Sequence, residues 1–391
     1  MVSIRLKPHE DRRLRAGHLW IYSNEVDTGR TPLQSVVPGS VCRVEDARGA
    51  PLGLASVNPH ALLCARLLTR RADAVIDEAW LLRRLQRALR ARTSVYSAPF
   101  YRLVYGEGDG LPGLVVDRYG DYLAVQLNTA GMEVLRGAIL SALHALLQPR
   151  GIVLRNDSPA RNPEGLPLYD EVVGEVPAEV ELREGDTTFK VSLRSGQKTG
   201  WFFDQRDNRD RLQRYAHGAR VLDVCCYTGA WALRALAAGA KSACAVDSSA
   251  EALAAVRANA ELNGTGLEAR RGRALEVLEQ LHAEHRQYDL VVVDPPALVK
   301  RRRDHAPGLA HYRRLNQLAI RLLAPGGVLV SCSCSFHVTA DELQQVLLRA
   351  STSLGRRLVI LEQGGPGPDH PVHPAIPETR YLKAFFCRAG G

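Results

Sequence analysis

The sequence predicts an α/β fold: a C-terminal doubly wound domain, preceded by a small β domain and a central α+β domain. Three observations carry this. From about residue 197, short apolar runs alternate with helical stretches, the pattern of parallel strands joined by right-handed crossovers. The first 70 residues instead hold short apolar runs broken by turn residues. A chain of 391 residues has room for two or three domains.

In order, 41–44 and 62–68 read as strands, with Gly39-Ser40, Arg48-Gly49 and Asn58-Pro59 as turns. His18, Trp20 and Tyr22 are spaced by two and would share one face of a strand. Residues 75–93 have helical periodicity, with Ile76, Trp80, Leu81 and Leu85 on one face. Strands are expected at 101–105 and 114–117 around the Gly-rich turn 106–113, then at 122–127. An amphipathic helix over 132–147 and a strand at 151–155 follow, then a loop over 156–168. Residues 175–194 read as two strands with Gly185-Asp186 at the turn. The C-terminal pattern gives strands at 221–226, 242–247, 289–294 and 327–333, with helices over 230–238, 250–263, 312–323 and 341–350. The expected domains are 1–70, 75–190 and 191–391.

With 46% hydrophobic and 24% charged residues, the chain can bury a core, which excludes a disordered or collagen-like class. Fifty-one Lys and Arg against 42 Asp and Glu give a net charge of +9. That excess suits a polyanionic partner, and the planar guanidinium suits phosphate oxygens. No run approaches the roughly 18 apolar residues of a membrane span, and the start has no apolar signal core, so a cytoplasmic protein is expected. The eight cysteines form no CxxC pair and have no histidine cluster beside them. Free thiols are therefore expected, with no zinc or other metal site.

Ligands of doubly wound sheets bind beyond the carboxyl ends of the strands. Asp223 lies on the first of these strands, Asp247 closes the second and Asp294 a later one, so three carboxylates should collect along one edge. An acid at the end of the second strand commonly accepts ribose hydroxyls, and Asp247 follows Asp223 by 24 residues (247 − 223). Such acids can also merely cap the next helix, as Asp247-Ser248-Ser249 could. The GxGxxG cradle of a dinucleotide site is missing; only Gly229 follows the first strand. One glycine and a buried acid suit S-adenosylmethionine, which carries a sulfonium and an ammonium but no phosphate. Asp223 and Asp204 would attract that cation.

The chain resembles class I methyltransferases, and more narrowly the bacterial PUA-domain 23S ribosomal RNA 5-methylcytosine methyltransferases. The stretches that carry the resemblance are QKTGWFFDQRDNR (197–209), VLDVCCYTG (221–229), AVDSS (245–249), VVDPP (292–296), SCS (333–335), DHPV (369–372) and YLK (381–383), with GHLWIY (17–22) and GEGDGLPGLVVD (106–117) nearer the N-terminus. They span essentially the whole chain. The resemblance implies a PUA-like RNA-binding first domain and a Rossmann-like catalytic domain. It implies an S-adenosylmethionine site lined by Asp223, Tyr227, Thr228, Gly229, Asp247 and Ser248 with Asp294, closed by Asp204 and Arg206, the last a candidate for the cofactor carboxylate. In one departure, GRAL (272–275) offers Arg273 where many class I members carry an adenine-contacting acid.

C5 of cytosine is a poor nucleophile. A thiolate added at C6 makes an enamine whose C5 attacks the methyl group, after which a base takes the C5 proton and the thiol leaves. The candidates are Cys332 and Cys334, two apart, so on a strand they would point the same way. Cys334 is the chosen nucleophile, because it matches the family's Cys-Ser ahead of a Thr/acid-led helix (Thr339, Asp341). Asp294 is the second catalytic candidate, contacting N3 or the exocyclic amine of cytosine. The base for the C5 proton has no assignment. Lys300, Arg301, Arg302 and Arg303 follow Asp294-Pro295-Pro296 and are the candidate RNA contacts.

The expected partner is 23S rRNA or a large-subunit assembly intermediate, with no membrane and with a second copy of the chain as a further candidate. The competing readings are a class I methyltransferase acting on guanine N2 or N7, which needs no thiol, and a non-catalytic RNA-binding assembly factor that keeps the cofactor fold.

Overall fold

The computed structural model describes residues 2–196 and 199–390. Gln197 and Lys198, which open the stretch 197–209 quoted above, lie outside the described residues. The chain divides into two compact units. One comprises Met1–Val180, Val191–Trp201 and Pro368–Thr379; the other comprises Glu181–Lys190, Phe202–Gly367 and Arg380–Gly391.

The first unit holds two five-stranded sheets. One has the order Ser3–Arg5, Val41–Glu45, Pro51–Val57, Ala65–Thr69, Trp20–Ile21. Alternation along Val41–Glu45 turns Cys42 and Val44 inward onto Ile4, Ile21, Ala55 and Cys64. Trp20–Ile21 is too short for the expected three-residue face. Trp20 is half-buried and its indole N–H donates to Glu107 Oε1 at 2.9 Å, while Tyr22 precedes a 3-10 turn.

The other sheet has the order Tyr169–Gly174, Gly151–Asn156, Tyr122–Leu127, Leu114–Tyr119, Phe100–Tyr105. Its apolar face shares a core with the helix Glu78–Thr93, through Trp80, Leu81 and Leu85. Asp77 starts that helix by accepting the Trp80 N–H at 2.8 Å. The helix expected over 132–147 is two, Ala130–Val134 and Arg136–Leu147. Thr129 caps the first turn and Leu135 leaves helical geometry (ψ 3°), which resets the axis. Tyr169–Gly174 was not expected as a strand: only Gly-Ile-Val-Leu beside it carries a strong apolar signal.

The second unit is built on a seven-stranded sheet ordered Glu268–Arg271, Ser242–Asp247, Arg220–Val224, Tyr288–Val293, Leu323–Ser333, Lys383–Ala389, Leu358–Gly364. Counted along the chain this is 3-2-1-4-5-7-6. The first five are parallel and the last two pair antiparallel. Both faces are covered, as a parallel sheet requires: Leu222, Val224, Val291 and Val293 pack one way, Val221, Leu290, Val292 and Val330 the other.

The helix expected over 312–323 runs His305–Arg321. Its first turns, HAPGLAH, lack an apolar stripe and contain two breakers. Pro307 is tolerated in a first turn. Gly308 is required by close approach: a Cβ there would lie 2.3 Å from Val299 Cγ2. Among the described residues no helix is long and apolar enough to cross a membrane.

Candidate active site

Strand Arg220–Val224 lies mid-sheet, and the chain leaves it through a strained loop. Cys225 (φ 65°) and Tyr227 (φ 51°) adopt left-handed backbone, uncommon for residues with a Cβ, as does Gly229 (φ 80°). Cys225 N–H and Cys226 N–H both donate to Val246 O, at 2.9 and 3.1 Å, holding the loop against the next strand. Strain of this kind is kept where the surroundings over-determine it, commonly at functional sites.

Asp247 ends that next strand. Its Oδ2 accepts the Tyr227 N–H at 3.0 Å and its Oδ1 the Ser249 N–H at 2.9 Å. Ser249 itself caps the helix Ala250–Leu262 by accepting the Ala252 N–H. Asp247 thus orders the loop and the helix entry, and its remaining lone pairs can still accept hydroxyls. Ser248 is exposed.

Asp223 is fully buried. Its Oδ2 accepts the Ala232 N–H at 3.1 Å, while Oδ1 has no hydrogen-bond partner among the described residues. Burial, reinforced by Asp294 and Asp247, pushes its carboxyl up to about 7. The buried Thr228 Oγ1 is likewise unpartnered. Buried polar atoms are normally satisfied, so two orphans flanking one strained loop suit a polar ligand held there. Gly229 leaves that loop little room: a Cβ would sit 3.2 Å from Val256.

Asp204, Gln205 and Arg206 are buried on the turn Phe203–Gln205 and the start of the helix Arg206–Leu212. Tyr381 donates its hydroxyl to Asp204 Oδ2. The Arg206 guanidinium stands 5.3 Å from the Phe203 ring centre. Asp294 is half-buried just past Tyr288–Val293. Its Oδ1 accepts from Gln205 Nε2 at 2.9 Å and its Oδ2 from Trp231 Nε1 at 3.0 Å. Burial, with Asp204 adding to it, pushes its carboxyl up to about 6. The sequence reading missed Gln205 and Trp231, although Gln205 stands inside the stretch 197–209 and Trp231 two residues after Gly229.

The two candidate thiols do not share a face. Strand Leu323–Ser333 ends between them, so strand alternation stops before Cys334. Cys332 pairs with Ala384 inside the sheet, is fully buried beside Val330 and Phe386, and burial pushes its thiol well up. Cys334 is half-buried, its Sγ 3.8 Å from Pro295 O. The flanking serines point into a hydrogen-bonded cluster: Ser333 Oγ to Tyr312 OH at 2.9 Å, Tyr312 OH to Ser335 Oγ at 3.0 Å, and Val299 N–H to Ser335 Oγ at 3.1 Å. The Val299 bond ties the Cys334 loop to the start of the basic segment. Lys300, Arg301, Arg302 and Arg303 are all exposed. Arg273 is exposed at the start of helix Ala274–Ala283, a helix the sequence reading did not place. No group of three metal-ligating side chains occurs among the described residues.

Comparison with known proteins now decides the family. A family model for S-adenosylmethionine-dependent methyltransferases matches residues 139–385, and one for a PUA-like domain matches residues 4–70. The chain is 36% identical over 395 residues, 99% of each chain, to ribosomal RNA large subunit methyltransferase I of Yersinia pseudotuberculosis and of Yersinia pestis. The chain belongs to this family of S-adenosylmethionine-dependent methyltransferases. The fold of a protein assigned as a methyltransferase and solved complexed with SAH matches at a TM-score of 0.85, with 19% identity, covering 99% of this chain and all of the other. A Streptococcus mutans structure assigned as S-adenosylmethionine-dependent matches at 0.83 with 18% identity, again over 99% of this chain and all of the other. The methyltransferase's cofactor supplies an activated methyl group. The chain's own contribution at this edge is the orphaned acceptors of Asp223 and Thr228, the ordered Asp247 and the anchored Asp294.

Proposed function

We propose that this methyltransferase modifies C5 of a single cytosine in large-subunit ribosomal RNA, with Cys334 as the nucleophile at C6. The carrying observation is that Cys334 is the half-buried thiol that borders Asp294-Pro295-Pro296. Cys225 is also half-buried, but burial and the nearby Asp247, Asp294 and Asp223 push its thiol up to about 12, so it stays protonated. The name of the curated relatives supports the RNA class.

In this reading Asp223, Tyr227, Thr228, Gly229, Asp247 and Ser248 line the cofactor site, and Asp204 and Arg206 close it. Cys334 Sγ adds to C6, C5 then takes the methyl group, and loss of the C5 proton to a base expels the thiol from C6. Asp294, held by Gln205 and Trp231, faces the N3 and exocyclic-amine edge of the base and shares a proton there. A base inside folded RNA must be unstacked first, at a few kcal/mol. Phosphate contacts from Lys300, Arg301, Arg302 and Arg303, and shape contacts from the domain 1–70, offset that cost.

The test is mass-spectrometric mapping of ribosomal RNA from cells lacking the protein, with rescue by variants. Loss of one 5-methylcytosine is expected, restored by Cys332→Ala and not by Cys334→Ala, whose transfer rate falls about a thousandfold or more. Loss of a methylguanine instead, or full rescue by both variants, would overturn the proposal.

A further inference from the structure

Lys383 opens the strand Lys383–Ala389 and stands opposite Ser333, the last strand residue before Cys334. Its side chain is buried, with 6% of the residue exposed. Nζ donates to Ser335 O at 2.6 Å and to Tyr381 O at 2.8 Å. Two carbonyls leave the third N–H of the ammonium unassigned. Among the described residues no carboxylate lies within 4.0 Å of Nζ. A lysine is almost never fully buried without a paired anion, so this one lacks its expected counter-charge.

Two acidic groups face it, Cys334 and Glu342. Glu342 is already engaged: it caps the helix Ala340–Thr352 through Thr339 and meets His305 Nε2 at 2.8 Å. Among the described residues, the titratable groups that also feel Cys334 include the Tyr312 hydroxyl and Cys332, and burial raises both, so neither carries charge at neutral pH. Burial also lowers Lys383 to about 8, which still leaves it mainly protonated at pH 7.

We propose that Lys383 is a positioning residue for Cys334: its ammonium is the counter-charge that holds the sulfur as thiolate, and its bond to Ser335 O fixes the loop presenting it. This rests on the reading of Cys334 as the nucleophile. A cation beside a thiol favours the thiolate. It also explains why strand 383–389 delivers a lysine to the end of the strand that leads into the cysteine's loop. Lys383 thereby acts on the reaction through Cys334 and touches no substrate atom itself.

The experiment follows alkylation of Cys334 by iodoacetamide across pH in the full-length protein, reading the modified peptide by mass spectrometry. The wild-type midpoint is expected below the roughly 8.5 of an ordinary thiol. Lys383→Met should raise it and slow alkylation at pH 7 by about tenfold, a one-unit rise in pKa. Lys383→Arg, which keeps the charge, should retain the low midpoint. A wild-type midpoint at or above 8.5 overturns the proposal without need of any variant, and so does a folded Lys383→Met protein with the wild-type midpoint. Methyl transfer by Cys334→Ala would remove the nucleophile reading while leaving the alkylation result standing. An inactive Cys334→Ala with an ordinary wild-type midpoint removes the lysine proposal alone.

Discussion

Both units bury acids, and they treat them in opposite ways. In the first unit the buried Glu25, Glu164 and Asp117 each meet an arginine. Asp109 takes both terminal nitrogens of Arg92 at 2.7 Å, and Asp117 takes Arg102 through two bonds of 2.8 Å. Asp369 accepts the Arg102 N–H at 3.0 Å and meets His370 Nδ1 at 2.8 Å. At the strand ends of the second unit, Asp223 and Asp294 have no arginine bonded to them; they accept from a backbone N–H, an amide and an indole. The result is raised carboxyls, about 7 and about 6, and an orphaned oxygen. Paired acids hold a fold together, whereas unpaired ones keep binding capacity for something absent from the chain. Glu184 marks the boundary of the rule: it lies in the second unit but away from the strand ends, and Arg209 neutralises it at 2.5 and 2.6 Å.

The sharpest way to break this contrast is Asp117→Ala. It takes the carboxylate away from the largely buried Arg102 side chain, and should destabilise the protein by about 3–5 kcal/mol in a denaturant titration. A loss under about 1 kcal/mol would show that the paired acids are not structural. Asp223→Asn should do the reverse, with stability within about 1 kcal/mol of wild type but S-adenosylmethionine affinity down about 10- to 100-fold by calorimetry. Equal damage to both properties would erase the distinction.

The pH dependence sharpens it further. Asp223 ionises at about 7 when folded, above its unfolded value near 4. The folded state therefore holds the extra proton between those values, and this carboxyl's contribution to stability falls as pH rises from about 4 to 7. Binding of the cationic methyl donor should strengthen by up to about tenfold from pH 6 to 8, whereas SAH, which keeps the ammonium and carboxylate but lacks the sulfonium charge, should change less. Flat profiles for both ligands would place no titrating charge of Asp223 at the bound cofactor. The smallest effect belongs to the exposed cations. Replacing Arg301 and Arg302 with Gln should weaken RNA binding only a few-fold and lower its salt dependence by about two counterions. An unchanged salt slope would remove this loop from the RNA surface.

Much of this was legible in the sequence. Alternating apolar runs and helical stretches placed four of the five parallel strands, because their buried faces demand unbroken Val, Ile and Leu. Aspartates at strand ends marked the candidate ligand edge. The specific stretch 106–117 was legible but not its purpose: its Asp109 and Asp117 serve the buried Arg92 and the half-buried Arg102, and a Cβ on Gly108 would lie 2.2 Å from Pro371 O. Those partners are 17, 15 and 263 residues away (371 − 108), so only folding brings them together.

The sequence by itself determined the layering of the second unit and the identity of its strand-end acids, because periodicity and burial are local properties of the chain. Tertiary structure alone decided which of two neighbouring cysteines reaches the surface, since that depends on where pairing with strand Lys383–Ala389 stops. It also decided that a lysine some 50 residues further on stands against that loop, and that Gln205 and Trp231 grip Asp294. Charge and hydrogen bonding act through space over a few ångströms, and no spacing along a chain records that distance.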